Sequence, residues 1–486
     1  MRLIRTLLCI QACSILLLAN NWSPSIASGE QASPALAKVE NRFVLSEPCS
    51  LLDFVRTVAK FPHTTEWLCS WYFARRSHDK SIPGSLEQDN LQIDAFKSLF
   101  DKTNNRTFKL PTGRTLDLSG KLIYDGATCE KLSELYTKCS SYLTKDELQK
   151  LKDVLDYFEP IYKMAVWQPR EDGLKKQLLQ FKEQAERNNL NEDLRAVQKF
   201  LVAPWIDGVP FLVVLSPLPE QTKRGHGENL DSIQVVEVGP ADKFQDKAHV
   251  VFHEDVHALW FSKKNEEECR KQFRLDDKHK LPITELYEGL ATALGQGWFQ
   301  SECKIPKLDR WYADETINKY AHLIYPLCKQ YLASGKPIDA DFAHEATRIF
   351  FEKMPDISSE IGQCESFFVL AERANSQQLS GKLYKLMPRM RDFGISSPVN
   401  AKESLDRLNE SDAKHVAVLV PPHKITELAC LGLNDEQLKT LEQAEKFPLT
   451  LKVKERAFLF CIANDPEEQQ SLLLNALSKK KWTAAK

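Results

Sequence analysis

The residues best suited to chemistry lie in one short stretch, Val250-Val251-Phe252-His253-Glu254-Asp255-Val256-His257-Ala258-Leu259-Trp260, which contains the pattern H-E-x-x-H. On an α-helix, positions four apart share a face and stand about 6 Å apart along the axis, so His253 and His257 can converge on one zinc ion. Glu254 projects about 100° round from His253, beside the ion instead of onto it. There it can take a proton from an attacking water, while the ion activates that water and polarises the carbonyl. The flanking residues are apolar on both sides, as a buried active-site helix requires. The competing assignment is a pair of ordinary core or surface histidines. His249 precedes His253 by one turn, but three histidines at this spacing drift round the helix, so it reads as incidental or as an outer contact.

A catalytic zinc needs a third protein ligand and an open fourth position. Downstream lies Glu285-Leu286-Tyr287-Glu288-Gly289-Leu290-Ala291-Thr292-Ala293. Here the sequence resembles the gluzincin branch of the zincin metallopeptidases, in which H-E-x-x-H is followed by a helical glutamate ligand, often in an E-G-x-A setting. Glu288 matches that glutamate, with 30 residues between it and His257. The resemblance covers about a quarter of the chain. It implies His253, His257 and Glu288 as ligands of one Zn2+ per chain, Glu254 as general base and a peptide or protein substrate. It also implies that the strand Ile233 to Val238 is the edge that binds an extended peptide by β-addition. Glu285 competes with Glu288 as ligand and is otherwise a supporting residue. Gly289, Ala291 and Ala293 are small enough for the two helices to pack closely. Asp255 departs from the group's pattern, where this position is usually uncharged; it either orients a histidine or faces water. No histidine follows His257 at the spacing a metzincin requires. His322 with Tyr325, and His344 with Arg348, are candidate oxyanion donors without an assigned role.

Several elements must position these groups. Thr144-Lys145-Asp146-Glu147 is a capping box, and Leu148, Leu151, Val154, Leu155 and Phe158 follow at helical spacing until Pro160 bends or ends the helix. Further amphipathic helices are expected at about 173–188 and 192–202. Phe211 to Leu215 and Ile233 to Val238 read as strands, closed by Pro217 and by Gly239-Pro240. The H-E-x-x-H helix is expected from Asp246, as N-cap, to about Ser262. Helices at about 282–299, 313–332, 339–353 and 360–376 follow. His415 to Val420 and Ala457 to Ile462 look like buried strands of a small α/β module. The fold class expected is α+β, predominantly helical, with a zincin-like core whose small β-sheet packs against the H-E-x-x-H helix. The expected divisions are a signal peptide over 1–27, a mainly helical region over 28–205, a catalytic domain over 206–385 and an α/β module over 386–486.

Arg2 and Arg5 precede an apolar run, Thr6 to Ala19, too short to span a bilayer, and Ser25-Ile26-Ala27 offers a cleavage site. The chain is therefore expected to be secreted or periplasmic, with a loose leader over residues 28 to about 45. A net charge of −2 over 486 residues, without single-sign blocks, excludes nucleic acid as an expected partner. No stretch reads as a stable membrane span after cleavage. Ten cysteines would remain, an even set that in an exported protein reads as up to five disulfides, with Cys129–Cys139 and Cys49–Cys69 the closest pairings; free buried thiols are the alternative. No G-x-S-x-G elbow, Walker loop or dinucleotide fingerprint occurs. The main rival to a zinc peptidase is an inactive, zincin-like extracellular binding protein that uses its helical N-terminal region as a docking surface.

Overall fold

The computed structural model describes residues 37–479, apart from 62–63, 101–105, 222–225, 263–265, 277–278, 303–309, 360–361, 363, 373–375, 388, 391 and 446. The signal segment lies outside the described residues. The chain is α+β and predominantly helical. It divides into two compact units, one ending at residue 348 and one beginning at residue 349. Among the described residues no helix is long and apolar enough to cross a membrane.

The first unit is built on strands β1 (Asn41–Val44), β4 (Phe211–Pro217), β5 (Gly227–Leu230) and β6 (Ile233–Val238). A small hairpin, β2 (Thr107–Lys109) and β3 (Thr115–Asp117), stands apart as its own two-stranded sheet. The main sheet runs β1-β4-β6-β5, with β1, β4 and β6 parallel and β5 antiparallel to β6. All six residues of β6 are buried, as expected for a parallel strand covered on both faces. This corrects the expected edge: β6 lies inside the sheet, and the edge beside it is β5. The end of the expected loose leader is instead a strand, because Asn41–Val44 pairs in register with Phe211–Val214.

Helical sequence surrounds this sheet. Ser46 caps the Glu47–Val58 helix, its hydroxyl accepting from the Cys49 amide at 3.2 Å. The Thr144–Glu147 capping box starts the Lys145–Tyr162 helix as its spacing predicts. Pro160 does not end that helix. A π-helical stretch, Lys163–Trp167, carries the chain directly into the Gln168–Arg187 helix, and this widening follows the ring that interrupts the α-helical ladder. The expected break near residue 205 falls within one unit, because the N-terminal helices bond directly to the sheet. Arg56 makes a paired contact with Glu228 at 2.7 and 3.0 Å, Ser216 donates to Asp53 at 3.2 Å, and Thr65 donates to Glu237 at 2.6 Å.

The disulfide expectation is wrong for the described cysteines. All nine, Cys49, Cys69, Cys129, Cys139, Cys269, Cys328, Cys364, Cys430 and Cys461, are free thiols. Cys303 lies outside the described residues. The Cys129 thiol donates to the Asp125 carbonyl at 3.1 Å and that of Cys69 to the Val58 carbonyl at 3.9 Å, while Cys139 meets the Tyr142 hydroxyl at 3.1 Å. These thiols behave as small buried side chains satisfied by local partners, which an even cysteine count cannot distinguish from braces.

The second unit holds β7 (Ser366–Ala371), β8 (Asp392–Ser396), β9 (His415–Val420), β10 (Leu449–Val453) and β11 (Arg456–Ile462) in the order β10-β11-β9-β7-β8. Only β10 is antiparallel to its neighbour. The helix expected over 360–376 is instead strand β7. Its apolar run suits either state by periodicity, and burial on both faces decides for a strand: Phe367 and Val369 enter one core, Phe368 and Leu370 the other. The α/β module accordingly begins well before residue 386.

Candidate metal centre

The H-E-x-x-H motif lies on the Phe244–Phe261 helix. Asp246 sits in its first turn instead of at the N-cap, accepting from the Lys243 amide at 2.8 Å. Residues Val251 to His257 of this helix are buried except Glu254, which is half-buried. The helix thus enters the interior with one carboxylate still partly open to solvent.

Helical spacing brings His253 and His257 together with their Nε2 atoms 3.0 Å apart. The Oε2 atom of Glu288 lies 3.3 Å from the first and 3.5 Å from the second. Tetrahedral zinc with ligand bonds of about 2.0–2.1 Å would separate its ligand atoms by about 3.3 Å. The triangle is therefore the right size for one ion. Its donor set, two imidazoles and a carboxylate, also matches a catalytic zinc site with one position left for water. His253 Nδ1 lies 3.3 Å from Gln296 Oε1, a carbonyl that can only accept. Placing the ring proton on Nδ1 leaves the Nε2 lone pair directed at the centre. Tyr312 donates to Glu288 Oε2 at 2.9 Å, and its ring stacks on His253 at 6.0 Å.

Glu288 belongs to a π-helical stretch, Glu285–Gly289, joined by the turn Leu290–Thr292 to a second one, Ala293–Phe299. Both candidate glutamates lie in the first of these stretches. Glu288 faces the histidines, whereas Glu285 is fully buried outside the triangle. The close approach to the motif helix is made by Gly295, a residue the sequence reading did not single out. A Cβ there would lie 3.1 Å from both the His249 carbonyl oxygen and the His253 amide nitrogen. Gly289 instead makes room for the Tyr320 ring on the Glu315–Ser334 helix, where a Cβ would come within 2.5 Å of Cδ1.

The electrostatics separate the two glutamates. Burial alone would raise Glu288, but the His257 and His253 imidazoles outweigh it and hold this carboxyl well below the usual range. Burial pushes Glu254 up to about 7, with Glu288 and Glu228 adding to the rise while His253 and Arg114 oppose it. Glu254 also lies where β5 crosses the motif helix. A Cβ on Gly227 would sit 2.7 Å from Val250 Cγ1 and 3.1 Å from Glu254 Cγ, so only glycine lets the strand pass this closely.

Asp255 neither orients a histidine nor faces water. It is fully buried and accepts from Asn41 Nδ2 at 2.6 Å and from Gln234 Nε2, joining β1 and β6 to the motif helix. His249 lies outside the triangle, lowered to about 4 by burial and then by His253 and Lys247. His322 stacks on Trp311 at 3.7 Å, Tyr325 meets the same indole edge-on, Arg348 pairs with Glu345, and His344 is exposed. The hydroxyl that reaches the ligands is that of Tyr312, which no motif spacing signals. No family model matches this chain, and neither the curated proteins nor the solved structures contain a match to it.

Proposed function

We propose that this chain is a zinc-dependent hydrolase of zincin type, most closely a gluzincin-like peptidase. The observation that carries the reading is the triangle of His253 Nε2, His257 Nε2 and Glu288 Oε2, with Glu254 on the next position of the same helix. When bound, zinc would lower the pKa of a water and polarise the carbonyl that the water attacks. His253, His257 and Glu288 would hold the ion, Gln296 fixing the ring of the first and Tyr312 the carboxylate of the third. Glu254 accepts a proton from the attacking water and returns it to the departing amine. Strand β5, on the sheet edge and across Glu254, receives the extended substrate by backbone pairing. Export through residues 1–27 remains part of the proposal and rests on that segment alone.

Two measurements on the purified protein test it. Elemental analysis should find about one zinc per chain. Glu254→Gln should keep the zinc while cleavage of a mixed peptide library falls at least about 100-fold. A folded protein without zinc overturns the centre. A zinc-loaded protein that cleaves no peptide overturns the peptidase assignment and favours a binding role.

A further inference from the structure

The hairpin of β2 and β3 is held against the edge strand beside the candidate metal centre. Its turn closes through Leu110 N to the Arg114 carbonyl at 2.8 Å and through Gly113, whose φ of +96° suits glycine. Two side chains then fasten it to β5 and to the turn that follows it. Thr112 donates to Asp231 at 2.6 Å, and Arg114 Nη1 donates to Asn229 Oδ1 at 2.5 Å. Asn229 is itself oriented, its Nδ2 donating to the Asp231 carbonyl at 3.0 Å. The Arg114 guanidinium lies 4.7 Å from the centre of the Phe261 ring. That ring stacks on the candidate ligand His257 at 6.2 Å and meets Tyr287, the neighbour of Glu288, at 5.2 Å. Arg114, Phe261 and Tyr287 are all partly open to solvent. A planar cation is thus anchored by the edge strand on one side and by an aromatic face on the other, one ring away from a zinc ligand.

Of the carboxylates near this point, Glu228 is already paired with Arg56 and Glu288 would be occupied by the ion. Arg114 places a positive charge beside the edge strand, on the Asn229 side chain and the Phe261 ring. We infer that Arg114 is a specificity-determining residue that selects peptides carrying a carboxylate next to the segment bound along β5. The carboxylate is either the peptide's own C-terminus or an acidic side chain. A guanidinium suits it because two parallel N–H groups match the two oxygens, which a lysine cannot reproduce. This inference rests on the peptidase reading above, but its test reads binding, not turnover.

The experiment uses the full mature chain carrying Glu254→Gln, so that peptides are retained uncut, with zinc content measured in parallel. The probe is a pooled set of synthetic octapeptides, each made as the free acid and as the C-terminal amide, and with Asp and Glu replaced by Asn and Gln. Retention is quantified by mass spectrometry. The free acids, or the acidic side chains, should be enriched, and adding Arg114→Gln should reduce that enrichment about 10- to 100-fold while leaving neutral peptides unchanged. Arg114→Lys should recover only part of it. Loss among the amides identifies the C-terminus as the group read, and loss among the Asn and Gln set identifies a side chain. Equal weakening of charged and neutral peptides makes Arg114 a structural tie of the hairpin and overturns the inference, as does retention of no peptide. A protein that lacks zinc yet keeps the carboxylate preference overturns the hydrolase and leaves the Arg114 assignment standing.

Discussion

At the scale of single residues, the most informative side chain is Asp255, the one departure from the motif pattern. Its carboxylate is an acceptor for two amides brought from β1 and β6, and its burial is complete. Asp255→Leu would leave the Asn41 and Gln234 amide donors unpaired in the interior, at a cost of about 2–4 kcal/mol. The oxygens of both amides lack partners at present. Asp255→Asn should therefore be tolerated within about 1 kcal/mol, because an amide keeps the shape and can donate to one oxygen while accepting from the other side chain. Urea unfolding of the two variants checks this. Equal destabilisation by both would show that the charge, not the hydrogen-bond pattern, is what the site requires. Tyr312, Gln296 and Gly295 belong to the same class of residue: each acts on a ligand or its helix, and none lies in a recognisable spacing from the motif.

At the scale of elements, the end of β6 carries a test of how the sheet and its helices share buried charge. Burial raises Glu237 to about 8, nearby Asp53 adds to the rise, and the Thr65 hydroxyl and Lys247 oppose it. The folded protein then keeps a proton on Glu237 that the unfolded chain releases above its ordinary value of 4.5. With more protons bound in the folded state, stability falls as pH rises from about 4.5 to about 8 and levels off beyond. Glu237→Gln keeps an acceptor for Thr65 and removes the proton. Its Tm should match the parent near pH 5 and exceed it at pH 8.5, with a flatter profile between. An unchanged slope would mean that Glu237 is ionised in the folded protein. The same strand shows what periodicity conceals. Ile233–Val238 is legible as a strand, but its place inside the sheet depends on β5, a four-residue segment with one glycine and two polar residues.

At the scale of the whole molecule, cysteine chemistry separates the expected and observed architectures. The described cysteines are thiols, so reduction should leave the Tm unchanged within error. Among the described cysteines of the folded protein, a thiol reagent should react first at the exposed Cys430, next at the half-buried Cys269, and at the buried positions only after unfolding. A Tm that drops on reduction would contradict this arrangement. The two units also divide the chemistry. The candidate ligands and Glu254 all precede residue 348, while the α/β unit from residue 349 onward builds its own sheet with a core on each face.

The local features were legible because they depend on neighbours a few residues away. The helix that aligns His253 with His257, the capping box at Thr144 and the runs that form β4, β6, β9 and β11 follow from backbone geometry and hydrophobic period. What lies far apart in the chain was decided only by folding. That Glu288 and not Glu285 meets the histidines is settled by packing, and the partners of Asp255 come from positions 214 and 21 residues away. The edge role of β5 depends on the neighbours that flank β6, and the state of the thiols depends on what each sulfur touches. Sequence specified a pair of imidazoles one turn apart, since helical geometry is a local property. The third ligand, Glu288, was legible only through its resemblance to a known motif; its distance to the histidines, the supporting Tyr312 hydroxyl and the strand beside them were decided by the tertiary structure, because those contacts exist only once distant segments are packed together.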